Sequence, residues 1–258
     1  MLRKGDLTQG GITGTLLHFT LPMMVGSFLQ QCYNIADTLI VGQCIGAGAL
    51  AAVGSAYTLM VFLISVLLGL AMGSGTVFSL HYGAGNHVAL RRSIFSSFVL
   101  IGIVTLILNV AVFIWLDPIL RLLQVPQDIY GMMRSYLWII FCGIVFTFIY
   151  NFYASLLRAV GDSVTPLWFL AVSVVLNIAL DLFFILQLDW GIQGAAAATV
   201  LAQGVAALGI IIYTYRRRPE LRWHHEDMCF DRTCLKEIAS FSTPVSYTHL
   251  RAHETLMN

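Results

Sequence analysis

Long apolar stretches alternate along this chain with short polar clusters that carry most of its charge. A helix of about 20 apolar residues crosses the hydrocarbon core of a bilayer. On that measure the pattern predicts spans near 14–41, 50–80, 93–116, 132–157, 164–187 and 190–215. Pro22 interrupts the first span; it removes a backbone hydrogen bond and predicts a kink there. At membrane depth such a break is tolerated where a neighbouring helix or a cavity satisfies the freed carbonyl. In the second span Gly69 and Gly73, followed by Ser74 and Gly75, make a small-residue face suited to close helix contact. The last two spans are joined only by Leu188, Asp189, Trp190 and Gly191, which predicts antiparallel neighbours.

Composition narrows the class. Of 258 residues, 58% are hydrophobic and 10% charged, with a mean hydropathy of +0.82. Soluble domains carry roughly 25% charged residues, so an ordinary cytosolic enzyme is excluded and an all-α polytopic membrane protein is expected. The segment 1–13 is polar and the first apolar stretch is too long for a cleaved signal peptide. No Ser/His pair, HExxH or paired catalytic Asp motif falls in the spans, so no enzymatic activity is expected. Five cysteines form no paired framework; Cys229 and Cys234, with His224 and His225 nearby, match no zinc signature, and no metal site is expected there.

Charge distribution sets the orientation. With the N-terminus inside, eleven basic residues (Arg3, Lys4, Arg91, Arg92, Arg158, Arg216, Arg217, Arg218, Arg222, Arg232 and Lys236) are cytoplasmic, and two, Arg121 and Arg134, lie outside. The positive-inside rule then predicts cytoplasmic ends on both sides of the six spans. Trp115, Trp138 and Trp190 fall near outer span ends and Trp168 near an inner one, as interfacial anchors do. The multi-pass protein is expected in the plasma (bacterial inner) membrane, with the lipid bilayer as a partner and no nucleic-acid partner. Asp162 and Arg158 are expected to serve the cytoplasmic turn after the fourth span.

Only two carboxylates, Asp37 and Asp181, lie within the spans. Acids at bilayer depth are costly unless they face a cavity or a partner. At a rise of about 1.5 Å per residue, Asp37 sits roughly 6–10 Å below the outer boundary, Asp181 about 9 Å and Thr199 roughly 13 Å. Asn177 stands one turn before Asp181 on the same helix face, and Ala195 one turn before Thr199. Two carboxylates, an amide, a hydroxyl and a backbone carbonyl are therefore expected to converge in the outer half of the bundle. Hard oxygen ligands of this kind suit Na⁺, whereas paired acids in a poorly hydrated site would share a proton. The alternative is that each acid caps or hydrogen-bonds its own helix.

These residues carry a family resemblance. The run from Tyr33 through Asp37 to Gly42, continued by Gly46 to Gly54, resembles the first two helices of the multidrug and toxic compound extrusion (MATE) family. So do Gly69 to Gly75 with Tyr82 to Asn86, and Leu157 to Ser163 with Thr165-Pro166. Asn177 to Asp181 and Gly194 to Thr199 complete the pattern, which covers about 14–244. The resemblance implies an antiporter that exports organic, often cationic, compounds in exchange for Na⁺ or H⁺, with no other cofactor. It implies one six-helix lobe of a twelve-helix architecture. The family's first-lobe ion site maps onto Asp37, Asn177, Asp181, Ala195 (through its carbonyl) and Thr199, and the proline whose bending is proposed to gate the cavity maps onto Pro22. Met23, Gln30, Gln31 and Tyr33 are candidates for the cavity lining.

The sequence divides into a cytoplasmic segment (1–13), a six-helix lobe (14–215), a basic loop (216–236) and the start of a seventh helix (237–244). Ala239 to Pro244 repeats the Phe and Pro spacing of Leu17 to Pro22, as an internal repeat would. Residues 245–258 turn polar and resemble a sequencing adapter translated in frame, so the second lobe of the same polypeptide is expected to be missing, and transport by this chain alone would need dimerisation. Two other readings compete. A flippase for lipid-linked sugars would line its cavity with basic residues, which the spans lack; a scaffold would use the acids only to pair helices.

Overall fold

The computed structural model describes residues 12–223, 236–238 and 240–241; all the secondary structure described is helical. The 224–235 loop with its Cys and His residues, most of the anticipated seventh-helix start and the 245–258 segment lie outside the described residues. Seven helices follow in order: α1 (Ile12–Cys44), α2 (Ala47–Gly83), α3 (His87–Leu122), α4 (Gln127–Cys142), α5 (Ile144–Ala159), α6 (Val164–Leu182) and α7 (Gly191–Arg217). One π turn, Phe183–Gln187, extends α6, and a short 3₁₀ turn, Pro219–Leu221, follows α7.

Among the described residues four rods are by themselves long and apolar enough to cross a bilayer: α2, α3, α6 with its π turn, and α7. The anticipated span at 132–157 is a bent pair, α4 and α5, which meet at Gly143 with a bend of 47° and together are long and apolar enough to cross. Tertiary packing explains the glycine at the bend. A Cβ on Gly143 would lie 2.4 Å from a methyl of Val200 on α7, so α7 approaches closer than any side chain allows. Asn109 of α3 donates to the Phe141 carbonyl at 3.0 Å and satisfies one of the acceptors at the broken end. The first helix departs from expectation in another way. At 33 residues α1 has the length of a span, and it runs on through Pro22, but it falls short in apolarity, since Gln30, Gln31, Asn34 and Asp37 crowd its C-terminal half.

An aromatic cluster packs the basic half of the bundle. Phe78 of α2, Phe98 of α3 and Phe148 and Phe152 of α5 interlock with ring centroids 5.3–6.0 Å apart. Ser155 of α5 donates to the Ala71 carbonyl at 2.8 Å, across the part of α2 where Gly69, Gly73 and Ser74 are buried. Trp223, just beyond α7, folds back onto Phe95 and Phe98 of α3. All four of the tryptophans read as interfacial (Trp115, Trp138, Trp168 and Trp190) are exposed.

The turn between α5 and α6 shows why its sequence is what it is. Gly161 takes a φ of +87°, and Asp162 N–H closes back to the Leu157 carbonyl at 2.9 Å, so α5 ends in a left-handed glycine turn. Asp162 then accepts from Thr165 N–H (3.0 Å), from Thr165 Oγ1 (2.8 Å) and from Arg218 Nη2 (3.3 Å). Asp162 thus starts α6 and ties it to the end of α7. Asp162→Ala is expected to cost about 1–3 kcal/mol, since it removes a cap and a charged partner. A thermal unfolding midpoint unchanged by this substitution would contradict that role.

Candidate functional site

Toward its C-terminal end α1 lies against α6 and touches α7, and its Tyr33 reaches Thr199 of α7. Asp37 on α1 is buried, and Asp181 on α6 is wholly buried. The two carboxyl groups are near enough to interact with each other. Each also has one buried oxygen, Oδ1, that makes no hydrogen bond among the described residues. Two ionised carboxylates are both acceptors and cannot bond to one another. A pair placed this way needs a positive charge between its oxygens, either a proton or a cation.

The neighbours complete an oxygen-rich pocket. In the orientation that satisfies both its ends, the Asn177 amide donates to Asp181 Oδ2 at 3.0 Å and accepts from Thr199 N–H at 3.2 Å. Thr199 Oγ1 lies 3.3 Å from that same amide end and accepts from Tyr33 Oη at 3.3 Å. Ala195 is fully buried one turn before Thr199 on α7. Asp37, Asn177, Asp181, Thr199 and Tyr33 are thus brought together, from α1 and the consecutive helices α6 and α7 far along the chain. Directly after Asp181 and Leu182, α6 widens into its π turn, closed by stacking of Phe184 on Trp190 at 5.1 Å. Such widenings recur at functional sites.

A cavity of about 760 Å³ opens beside this cluster. Its wall includes Gln30, Gln31, Tyr33, Asp37 and Thr199, and Asp37 is the one charged residue on it among those described. Asp181 and Asn177 sit behind the wall. Met23 does not line this cavity; it is 40% exposed on α1, and Pro22 also lies off the wall.

Several wall residues went unread in the sequence. Tyr136 of α4 is almost wholly buried and shares the wall with Asp37, while Thr147, Tyr150 and Asn151 of α5 and Gln203 of α7 add polar groups. Thr147 and Gln203 hydrogen-bond each other, and with Thr199 they also line a smaller cavity of about 30 Å³ at the α4–α5 break. The signal was one turn away: Thr199 and Gln203 are spaced i, i+4, so a polar stripe on α7 was legible. Tyr136 and Thr147 gave no comparable signal, because the helix break decides which way they face.

A family model described as MatE matches residues 22–183. The probable multidrug resistance protein YpnP of Bacillus subtilis (strain 168) is 37% identical over 217 residues, covering 84% of this chain and 49% of that protein. The multidrug export protein MepA of Staphylococcus saprophyticus is 31% identical over 210 residues, covering 78% of this chain and 45% of its own length. The chain therefore spans about half the length of these curated relatives. Among solved structures, an outward-facing multidrug resistance MATE family transporter of the MOP superfamily matches 97% of this chain and 55% of its own, with a TM-score of 0.90 at 25% identity.

Proposed function

Because this chain belongs to the MatE family, we propose that it is the N-terminal lobe of an ion-coupled antiporter that exports organic, often cationic, compounds. The observation that carries the reading is the Asp37–Asp181 pair, with two orphaned buried oxygens and one of its acids exposed to a large cavity. In this reading Asp37 and Asp181 hold the coupling ion, H⁺ or Na⁺, and Asn177, Thr199 and the Ala195 carbonyl supply neutral oxygens. Tyr33 orients Thr199. The cavity takes the organic substrate against Gln30, Gln31, Tyr33 and Tyr136.

Asp37 couples the two ligands. Standing on the wall as its one described charge, it attracts an organic cation when the coupling ion is absent. An ion held between Asp37 and Asp181 neutralises that charge and weakens the cavity for a cationic substrate. Each ligand then favours a different state of the bundle, and a ligand shifts an equilibrium only by its differential affinity. The N-terminus is cytoplasmic in this reading and the membrane is the bacterial plasma membrane. Among the described residues no Lys or Arg lines the cavity, so the lobe offers a pyrophosphate no cationic partner, which disfavours the lipid-linked sugar flippase.

The test uses the full-length gene that carries this lobe, expressed in an efflux-deficient host. Raised tolerance to cationic dyes is expected, collapsing when the Na⁺ and proton gradients are both dissipated. Tolerance that persists without either gradient would sink ion coupling, and no tolerance at full expression would sink export.

A further inference from the structure

The basic end of α7 combines features that the export reading leaves unused. Leu201, Val205, Leu208, Ile212 and Tyr215 recur at spacings of 4, 3, 4 and 3, and all are 42–57% exposed. They form one unbroken apolar stripe, roughly 20 Å long at 1.5 Å per residue. Arg216 and Arg217 are exposed directly at its end. Neither makes an ion pair among the described residues, whereas Arg218 is held by Asp162 and Glu220.

Arg222 folds back onto the same end. Its guanidinium donates through Nε to the Tyr215 carbonyl at 2.7 Å and also through Nη2. The same group lies 5.5 Å from the Tyr215 ring centroid. A helix C-terminus ordinarily repels anions because its last carbonyls carry partial negative charge. Arg222 caps one of those carbonyls, and it retains unused N–H donors on the planar fork. The three described carboxylates of this end are engaged elsewhere: Asp162 and Glu220 with Arg218, and Glu237 4.0 Å from His81. Trp168, 67% exposed, stands near the same end of the adjacent helix α6.

We infer that the α7 stripe with Arg216, Arg217 and Arg222 is a binding site for one anionic phospholipid. An acyl chain lies along Leu201 to Tyr215, and the phosphate meets the guanidinium cluster. Charge complementarity selects the headgroup, because a zwitterionic lipid brings its own cation to the arginines. The stripe selects a lipid over a soluble anion. Arg216 and Arg217 lie at the far end of α7 from Thr199, roughly 25 Å along the helix at 1.5 Å per residue, so this site stands or falls independently of the export reading.

The chain in detergent micelles would be titrated with phosphatidylglycerol and with phosphatidylcholine of the same acyl chains, and bound lipid counted by native mass spectrometry. Preferential retention of phosphatidylglycerol is expected. The double variant Arg216→Gln/Arg217→Gln is expected to weaken it roughly twenty-five-fold, from about fivefold for each basic side chain near an anionic headgroup. Either substitution alone gives about fivefold, which keeps the test open if the double variant misfolds. Water-soluble glycerol phosphate is expected not to displace the lipid. Equal retention of both lipids overturns the inference, as does a double variant that binds like the parent chain. Displacement by glycerol phosphate overturns it in favour of a free-anion site, and a dimer that buries the stripe without lipid overturns it in favour of a second copy.

Discussion

Asp181→Asn is expected to raise the unfolding temperature of this chain and, under the proposed export function, to remove export from the full-length protein. Asp181 is wholly buried, and its Oδ1 makes no hydrogen bond among the described residues. A buried polar atom left unpaired costs about 1–3 kcal/mol, and more when it is charged. The substituted amide keeps an acceptor for the Asn177 amide and gains N–H groups that can donate to Asp37. It therefore relieves both orphaned oxygens at once. For domains of 150–250 residues each 1 kcal/mol moves the midpoint by about 2–4 °C, so a rise of a few degrees is expected. Export falls to the host's background because a single carboxylate no longer provides the facing pair. Asp37→Asn is expected to do the same to export, since it removes the charge from the cavity wall as well. A lower midpoint together with lost export would instead assign the acids to helix pairing, the role the scaffold reading gives them. Retained export in both variants would remove them from the mechanism.

The second large effect is expected at the helix break. Gly143→Val forces a branched side chain into the space occupied by Val200, whose γ-methyls stand 2.4 and 2.7 Å from the position a Cβ would take. Overpacking a well-filled site costs about 1–3 kcal/mol and sometimes more. The loss is expected as reduced folded yield and an early unfolding transition. Pairing Gly143→Val with Val200→Ala should recover much of it, with a coupling of about 1 kcal/mol or more in a double-mutant cycle. Additive losses would show that the close approach of α7 is not what dictates glycine there. Because the break turns Tyr136 and Thr147 onto the cavity wall, the partly rescued protein is also expected to bind substrate more weakly than the parent.

Helix content, the order of the apolar rods and the identity of the two membrane-buried acids follow from sequence alone. The reason is physical: a bilayer demands apolar runs of a fixed length and penalises isolated charge within them. One-turn spacing likewise placed Asn177 beside Asp181 and Ala195 below Thr199. Tertiary structure decided what local pattern does not encode. Gly143 at the bend has no room for a side chain because α7 comes too close, and the apolar pattern of 132–157 does not announce that neighbour. The polar outer half of α1 is stable at membrane depth only because α6 and α7 meet it, through contacts such as Tyr33 to Thr199 across 166 positions of sequence. Met23 lay off the cavity wall for the same reason: helical spacing fixes which residues share a face, but only the packing partner decides which face looks inward.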